Sequence, residues 1–285
     1  MKQALTISDY ANQIHLHSPY IASTPSGKSK EALLNSLLLA LGLESAPTYA
    51  DKRRALHAKL NTLHPQVLDA QNIETLNQLL QLELNEKQVI SANSTAVLNN
   101  IKGTALSVWQ GDITTIATDA IVNAANSQML GCFSPLHACI DNAIHSAAGV
   151  QLRDDCNTIM QLQGFDEPTG AVKVTRAYNL PSKFVLHTVG PIANGNASPQ
   201  HRLALAKAYE SCLQACAEMP QINSIAFCGI STGVFGFPAH IAAQIAVNTV
   251  GQWLHKHPNT INKVVFNVYS HADNELYKPL VANAK

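Results

Sequence analysis

Charge is scarce in this 285-residue chain: Asp, Glu, Lys and Arg make up 13% of it, and nineteen basic residues balance nineteen acidic ones to a formal net charge of zero. A neutral chain exerts little long-range pull on nucleic acid or an anionic membrane, so neither is expected as a partner. Long apolar runs are missing too. The richest, Leu33 to Leu43, is interrupted by Asn35 and Ser36 and is too short to span a bilayer. The opening MKQALTISDYANQ has neither the apolar core nor the small-residue cleavage site of a signal peptide. There is no internal repeat and no low-complexity stretch. The six cysteines, Cys132, Cys139, Cys156, Cys212, Cys216 and Cys228, do not make a disulfide framework in a chain this long. These absences together lead us to expect a soluble, cytoplasmic protein in a reducing compartment.

What is present is a large apolar fraction, 46%, enough to bury the core of one large or two modest domains. Residues 1 to about 95 read as a helical extension. Lys30 to Leu43, Asp51 to Leu63 and Val67 to Leu84 carry apolar residues at helical spacing, and each is too short to be stable alone. Gly27-Lys28-Ser29 imitates the end of a phosphate-binding P-loop, but Ala22 stands where the motif needs a glycine. Lys52-Arg53-Arg54 reads as the solvated face of a helix, and Asn93 to Gly103 as a polar linker.

From residue 96 to 285 strands alternate with helices, which predicts a three-layer α/β/α domain around a mixed central sheet. The expected strands are Ala105 to Trp109, Ala120 to Asn123, Ala171 to Ala177, Phe184 to Thr188, Ser224 to Gly229 and Lys263 to Tyr269. The expected helices are His137 to Ala148, Arg202 to Met219, Ala239 to Trp253 and a short one after Asp273.

The candidate site is the run NAANSQMLGCFSPLHACIDNAIHSAAG, residues 123 to 149. Cys132, His137 and Cys139, spaced C-x4-H-x-C, are ligand types that zinc prefers, and three protein ligands with an open fourth position is the catalytic pattern. The spacing alone leaves open that the cysteines are small apolar fillers and the histidine an ordinary helix-start residue. Asp141 follows as either a first-turn acid favoured by the helix dipole or a reactive carboxylate. In an open α/β sheet a ligand lies beyond the carboxyl ends of the strands. Gly229 to Pro238 falls there, with three glycines around Ser231-Thr232 and a helix immediately after, a segment suited to a diphosphate.

The segment Cys132-Phe133-Ser134-Pro135-Leu136-His137-Ala138-Cys139-Ile140-Asp141-Asn142 resembles the CFxPxHxCIDN catalytic loop of the zinc-dependent branch of the macrodomain family. The commoner branch has a GGGVD run there; this chain keeps Gly131 and Asp141 and replaces the middle. The resemblance is strong after Trp109 and weaker in the helical extension.

It implies an ADP-ribose pocket, with Asp112 and Ile113 of the GDIT run at the adenine. Ser231, Thr232, Gly233, Val234, Phe235 and Gly236 of the GxSTGxFG loop would lie along the diphosphate and distal ribose. Asn126 would orient the distal ribose, Asn123 would brace the loop and Asp141 would assist proton transfer or ribose orientation. It also implies Zn2+ on Cys132, His137 and Cys139 and hydrolysis of mono-ADP-ribose from a modified protein side chain. A lipoyl-carrier protein modified by a sirtuin-type transferase is the carrier it suggests. A non-catalytic ADP-ribose reader with a structural zinc, or a hydrolase of a small ADP-ribose derivative, are the alternatives. His145, one turn beyond Asp141, reads as a packed or capped residue, His187, His240 and His271 show no pairing signal, and all four stay outside the expected site.

Overall fold

Two strands, Phe184–Val189 and Lys263–Val268, are buried at every position, which requires cover on both faces of the sheet that contains them. The computed structural model describes residues 3–24 and 26–285 and supplies that cover. In chain order the helices are α1 (Ile7–Tyr10), α2 (Lys30–Ala40), α3 (Tyr49–Thr62), α4 (Ala70–Asn85), α5 (Ile140–Ala148), α6 (Val150–Gln163), α7 (Pro199–Glu218), α8 (Ala239–Lys256) and α9 (His271–Ala282). The strands are β1 (Ile90–Ser91), β2 (Val97–Ile101), β3 (Thr104–Gln110), β4 (Ile116–Ala117), β5 (Ala120–Ala125), β6 (Val172–Arg176), β7 (Phe184–Val189), β8 (Ser224–Phe227) and β9 (Lys263–Val268).

The main sheet runs β2-β3-β9-β8-β5-β7-β6. Its interior pairs are parallel, while β2 against β3 and β6 against β7 at the two edges are antiparallel, so the sheet is mixed. No helix of the described residues is long and apolar enough to cross a membrane.

The N-terminal helices start where their caps say they should. Ser29, Thr48 and Asp69 each accept a bond from the backbone N–H three residues on, satisfying a donor the helix cannot use itself. Helices α2, α3 and α4 bury their leucines against one another in a cluster separate from the main core, with Val150 of α6 packed on its edge. The first helix belongs elsewhere: Tyr10 is buried in the main core, and its hydroxyl accepts a bond from Val174 N at 2.8 Å.

Four expectations need correction. Asn93 to Gly103 is no linker, because it carries β2 and the two-residue turn into β3. Lys102 and Gly103 both take positive φ (48° and 90°), as that tight hairpin turn demands. The polarity that suggested a linker is that of an edge strand with one side in solvent. Lys52-Arg53-Arg54 is not a solvated face either. Lys52 is buried and bonds Glu31 at 2.9 Å, and Arg53 meets Glu83 through two nitrogens at 2.7 and 3.0 Å; only Arg54 is exposed. The helix expected from His137 begins at Ile140, because Cys139 is extended (φ −123°) and serves as its cap. Finally, His187 is paired, as the site shows.

Candidate functional site

Strand β5 ends at Ala125, and the chain then turns through a loop back to α5, laying Asn126 to Cys139 across the carboxyl edge of the sheet. The sequence makes the turns possible at Gly131 (φ 82°) and at Leu136, which holds a left-handed φ of 57°. The result draws Cys132, His137 and Cys139 together. Cys132 Sγ lies 3.6 Å from His137 Nδ1, and the three ligand atoms all fall within 4.8 Å of one another. A tetrahedral zinc with bonds of about 2.3 Å to sulfur and about 2.0 Å to nitrogen needs these atoms roughly 3.6 Å apart, so the donor set fits such an ion. Burial pushes the Cys139 thiol up to about 11; a cation bound there would have to displace its proton.

Asp141 is buried one step behind this group. Asn123 Nδ2 donates to its Oδ1 at 2.8 Å, and His145 Nε2 lies 3.5 Å from the same oxygen, too far for a sound hydrogen bond. Burial raises the Asp141 carboxyl to about 6, against the opposing pull of the Asn123 bond and the Arg153 charge. The second N–H of Asn123 donates to His187 Nδ1 at 3.1 Å. That fixes the other ring nitrogen as the protonated one, 3.0 Å from Thr175 Oγ1. Asn123, His187 and Thr175 thus form a buried chain across β5, β7 and β6 that ends on Asp141. Histidine 187 was invisible to sequence reasoning because its partners lie on neighbouring strands; a polar residue amid the apolar FVLHTV run was the one available signal.

His145, Cys156 and His187 form a second close group, all buried. Both His187 nitrogens are already engaged, burial holds the Cys156 thiol in its protonated form well above its usual range, and the positive charge of Arg153 acts on His145. A cation would be poorly received there.

The remaining expected residues line the same edge. Asp112 caps a short turn, its Oδ1 accepting from Thr114 N at 2.9 Å and Thr114 Oγ1 at 2.7 Å, while Ile113 is buried beneath it. Asn126 faces its own loop: Oδ1 accepts from Gln128 N and Met129 N, and Nδ2 donates to Gly131 O at 3.0 Å, leaving one amide N–H for a ligand.

In the 229–238 segment Ser231 holds φ 65°, and its Oγ is buried without a partner. A Cβ on Gly190 would sit 2.0 Å from that oxygen, which explains the glycine where the two loops meet. Phe237 N bonds Ser231 O and Gly236 N bonds Gly233 O, whereas among the described residues the N–H groups of Gly233, Val234 and Phe235 donate to no protein acceptor. The segment then enters α8, whose first turn has no side-chain cap. Unpaired N–H groups at a helix start are an anion site. Thr232 is turned back on its own loop, its hydroxyl donating to Gly229 O at 3.0 Å.

One aromatic escaped notice. Tyr269, just past β9, is 84% exposed, and its carbonyl accepts from Gln110 Nε2, which puts it beside the Asp112 turn. The open groove of about 440 Å³ between α7 and α8 contains none of these residues.

The Macro domain family model matches residues 122–246. A protein-ADP-ribose hydrolase of Staphylococcus aureus is 54% identical over 182 residues, covering 64% of this chain and 68% of that one. The chain belongs to the macro domain family. A protein-ADP-ribose hydrolase of Treponema medium is 58% identical over 175 residues, 61% of this chain and 66% of its own length. Among solved structures, the Oceanobacillus iheyensis macrodomain with ADP is 38% identical with a TM-score of 0.58, spanning 64% of this chain and 93% of that one. The Trypanosoma brucei macrodomain in complex with ADP is 25% identical with a TM-score of 0.59 and covers 93% of this chain and 99% of that one. That second match is too long to omit the N-terminal helices; the macrodomain core is therefore found both with and without them.

Proposed function

We propose that this macrodomain is a protein-ADP-ribose hydrolase whose reaction depends on zinc held by Cys132, His137 and Cys139. The observation that carries the zinc reading is the convergence of two sulfurs and an imidazole beside the buried Asp141. The hydrolase reading is supported by relatives of that name, 66% and 68% of whose lengths this chain matches. The group has three members among the described residues, the ligand number of catalytic rather than structural zinc. When bound there, zinc would supply a lowered water pKa or a polarised ribose hydroxyl.

The chain's own residues do the rest. The free N–H groups of Gly233, Val234 and Phe235 would bind the diphosphate, with the start of α8 behind them. Asp112 has its second carboxylate oxygen for the adenine amino group, and Tyr269 offers an exposed ring face beside it. The remaining N–H of Asn126 would meet the distal ribose. Asp141, held by Asn123 and raised toward neutrality, can take or give a proton near the anomeric carbon, where C–O rupture develops oxocarbenium character. The substrate is an ADP-ribosylated protein, and a lipoyl-carrier protein modified by a sirtuin-type transferase is the carrier we propose. A cytoplasmic setting fits thiolate ligands, which need a reducing compartment.

The test is metal analysis of the purified chain together with hydrolysis of an ADP-ribosylated protein before and after chelation. We expect about one zinc per chain, loss of turnover on chelation and its return with added Zn2+. Full turnover in a metal-stripped sample would remove zinc from the mechanism.

A further inference from the structure

Helix α3 lies far from the loop in sequence, yet its C-terminal end touches that loop at several points. The last carbonyls of a helix have no partner within it and carry partial negative charge. Here one buried cation, Arg153 of α6, answers them: Nη1 donates to Leu60 O at 2.9 Å and Leu63 O at 2.6 Å, and Nη2 to Asn61 O at 3.1 Å. The same guanidinium turns its Nε to Leu130 O at 2.8 Å and stands 4.8 Å from the centre of the Phe133 ring. Arg153 is 4% exposed, and these bonds give it its compensation for burial.

Asn61, 1% exposed, makes a second tie. Its Oδ1 accepts from Leu136 N at 2.9 Å, next to His137 and at the residue forced into left-handed φ, while its Nδ2 donates to Ser146 Oγ at 3.1 Å on α5. From the far side Asn142 Nδ2 donates to Ser134 O and His137 O, both at 3.1 Å. The segment that sets the separation of Cys132 from His137 is therefore gripped at Leu130, Phe133 and Leu136 from α3 and Arg153, and at Ser134 and His137 from α5.

We propose that Asn61 and Arg153 are positioning residues for the metal site, and that the end of α3 is a structural wall of that site which sets its affinity for zinc. The inference rests on the zinc reading above. Partners behind metal ligands fix ligand orientation, and their loss typically costs 10–100-fold in metal affinity or activity.

The experiment uses the full chain, stripped of metal and titrated with Zn2+ against a competing chromogenic chelator, with the melting temperature of each stripped protein measured alongside. Asn61→Ala should weaken zinc binding by about 10-fold or more while the stripped protein melts close to wild type. Asn61→Asp keeps an oxygen for the Leu136 N–H and should recover most of the affinity. If Asn61→Ala does not fold, Phe133→Ala carries the test, since it removes a half-buried loop ring from Arg153 and His64 and leaves the hydrogen bonds of Arg153 in place, and it should weaken zinc in the same direction. Wild-type affinity in a folded Asn61→Ala protein, or in Phe133→Ala if that variant carries the test, overturns the proposal while leaving the zinc reading intact. A wild-type chain that takes up no Zn2+ refutes both.

Discussion

Asp141 is the residue on which the proposed chemistry turns, and its surroundings separate its two roles. A first-turn helix acid in solvent would keep an ordinary pKa; this one is buried, raised to about 6 and held by a single amide bond from Asn123. Asp141→Asn keeps that bond and the volume but removes the titrating group. We expect hydrolysis to fall by about 10²–10⁴-fold with little change in melting temperature. Cys139→Ser should remove zinc from the purified protein and turnover with it, while ADP-ribose binding persists. Turnover within a few-fold of wild type in either variant would take that residue out of the mechanism. That Cys132, His137 and Cys139 lie close together could be read from their spacing because the loop that joins them is short. The orientation of Asn126 could not, since its amide is bonded to Gln128, Met129 and Gly131 of its own loop.

Among the elements, the interior strands were legible because each is a short apolar run, and α2, α3 and α4 because each carries apolar residues at helical spacing, whereas the one-turn α1 is too short to show a period. The β2–β3 hairpin was not, since an edge strand shares its composition with a loop. The buried Asn123, His187 and Thr175 chain is likewise a property of three strands in register: Asn123 pairs with His187, and His187 with Lys173. It carries a pH signature. Burial pushes His187 down to about 3, beside the buried Cys156 and His145. In the unfolded chain it takes a proton near 6.5, so the unfolded state binds more protons, and stability falls as pH drops from 6.5 toward 3. At pH 5 this group should account for about 2 kcal/mol of lost stability. His187→Asn, which keeps an acceptor for Asn123, should show a flatter decline between pH 7 and 5 in urea denaturation. An unchanged slope would mean the ring titrates normally.

At the scale of the molecule, the sheet edge gathers the Asp112 turn, the 126–139 loop, the 190–196 segment and the 229–238 segment into one surface. A ligand that spans them binds only the folded state. ADP-ribose at about 100 times its dissociation constant should therefore stabilise the chain by about 2.7 kcal/mol, read as a rise in melting temperature. AMP, which reaches the adenine end alone, should raise it less; equal shifts would argue that the phosphate loop and distal ribose site are not engaged.

The sequence by itself determined the α/β order, the helical extension, the glycines of the 229–238 segment and the close spacing of Cys132, His137 and Cys139. All of these are local, written in periodicity or in spacings shorter than one loop. Only the tertiary structure decided that Asn123, itself bonded to His187, holds Asp141, that Arg153 joins the end of α3 to the loop, and that Lys52 and Arg53 are ion-paired and shielded. Those contacts join residues tens of positions apart, and a buried polar side chain needs its partner wherever the fold brings one, a requirement no local pattern records.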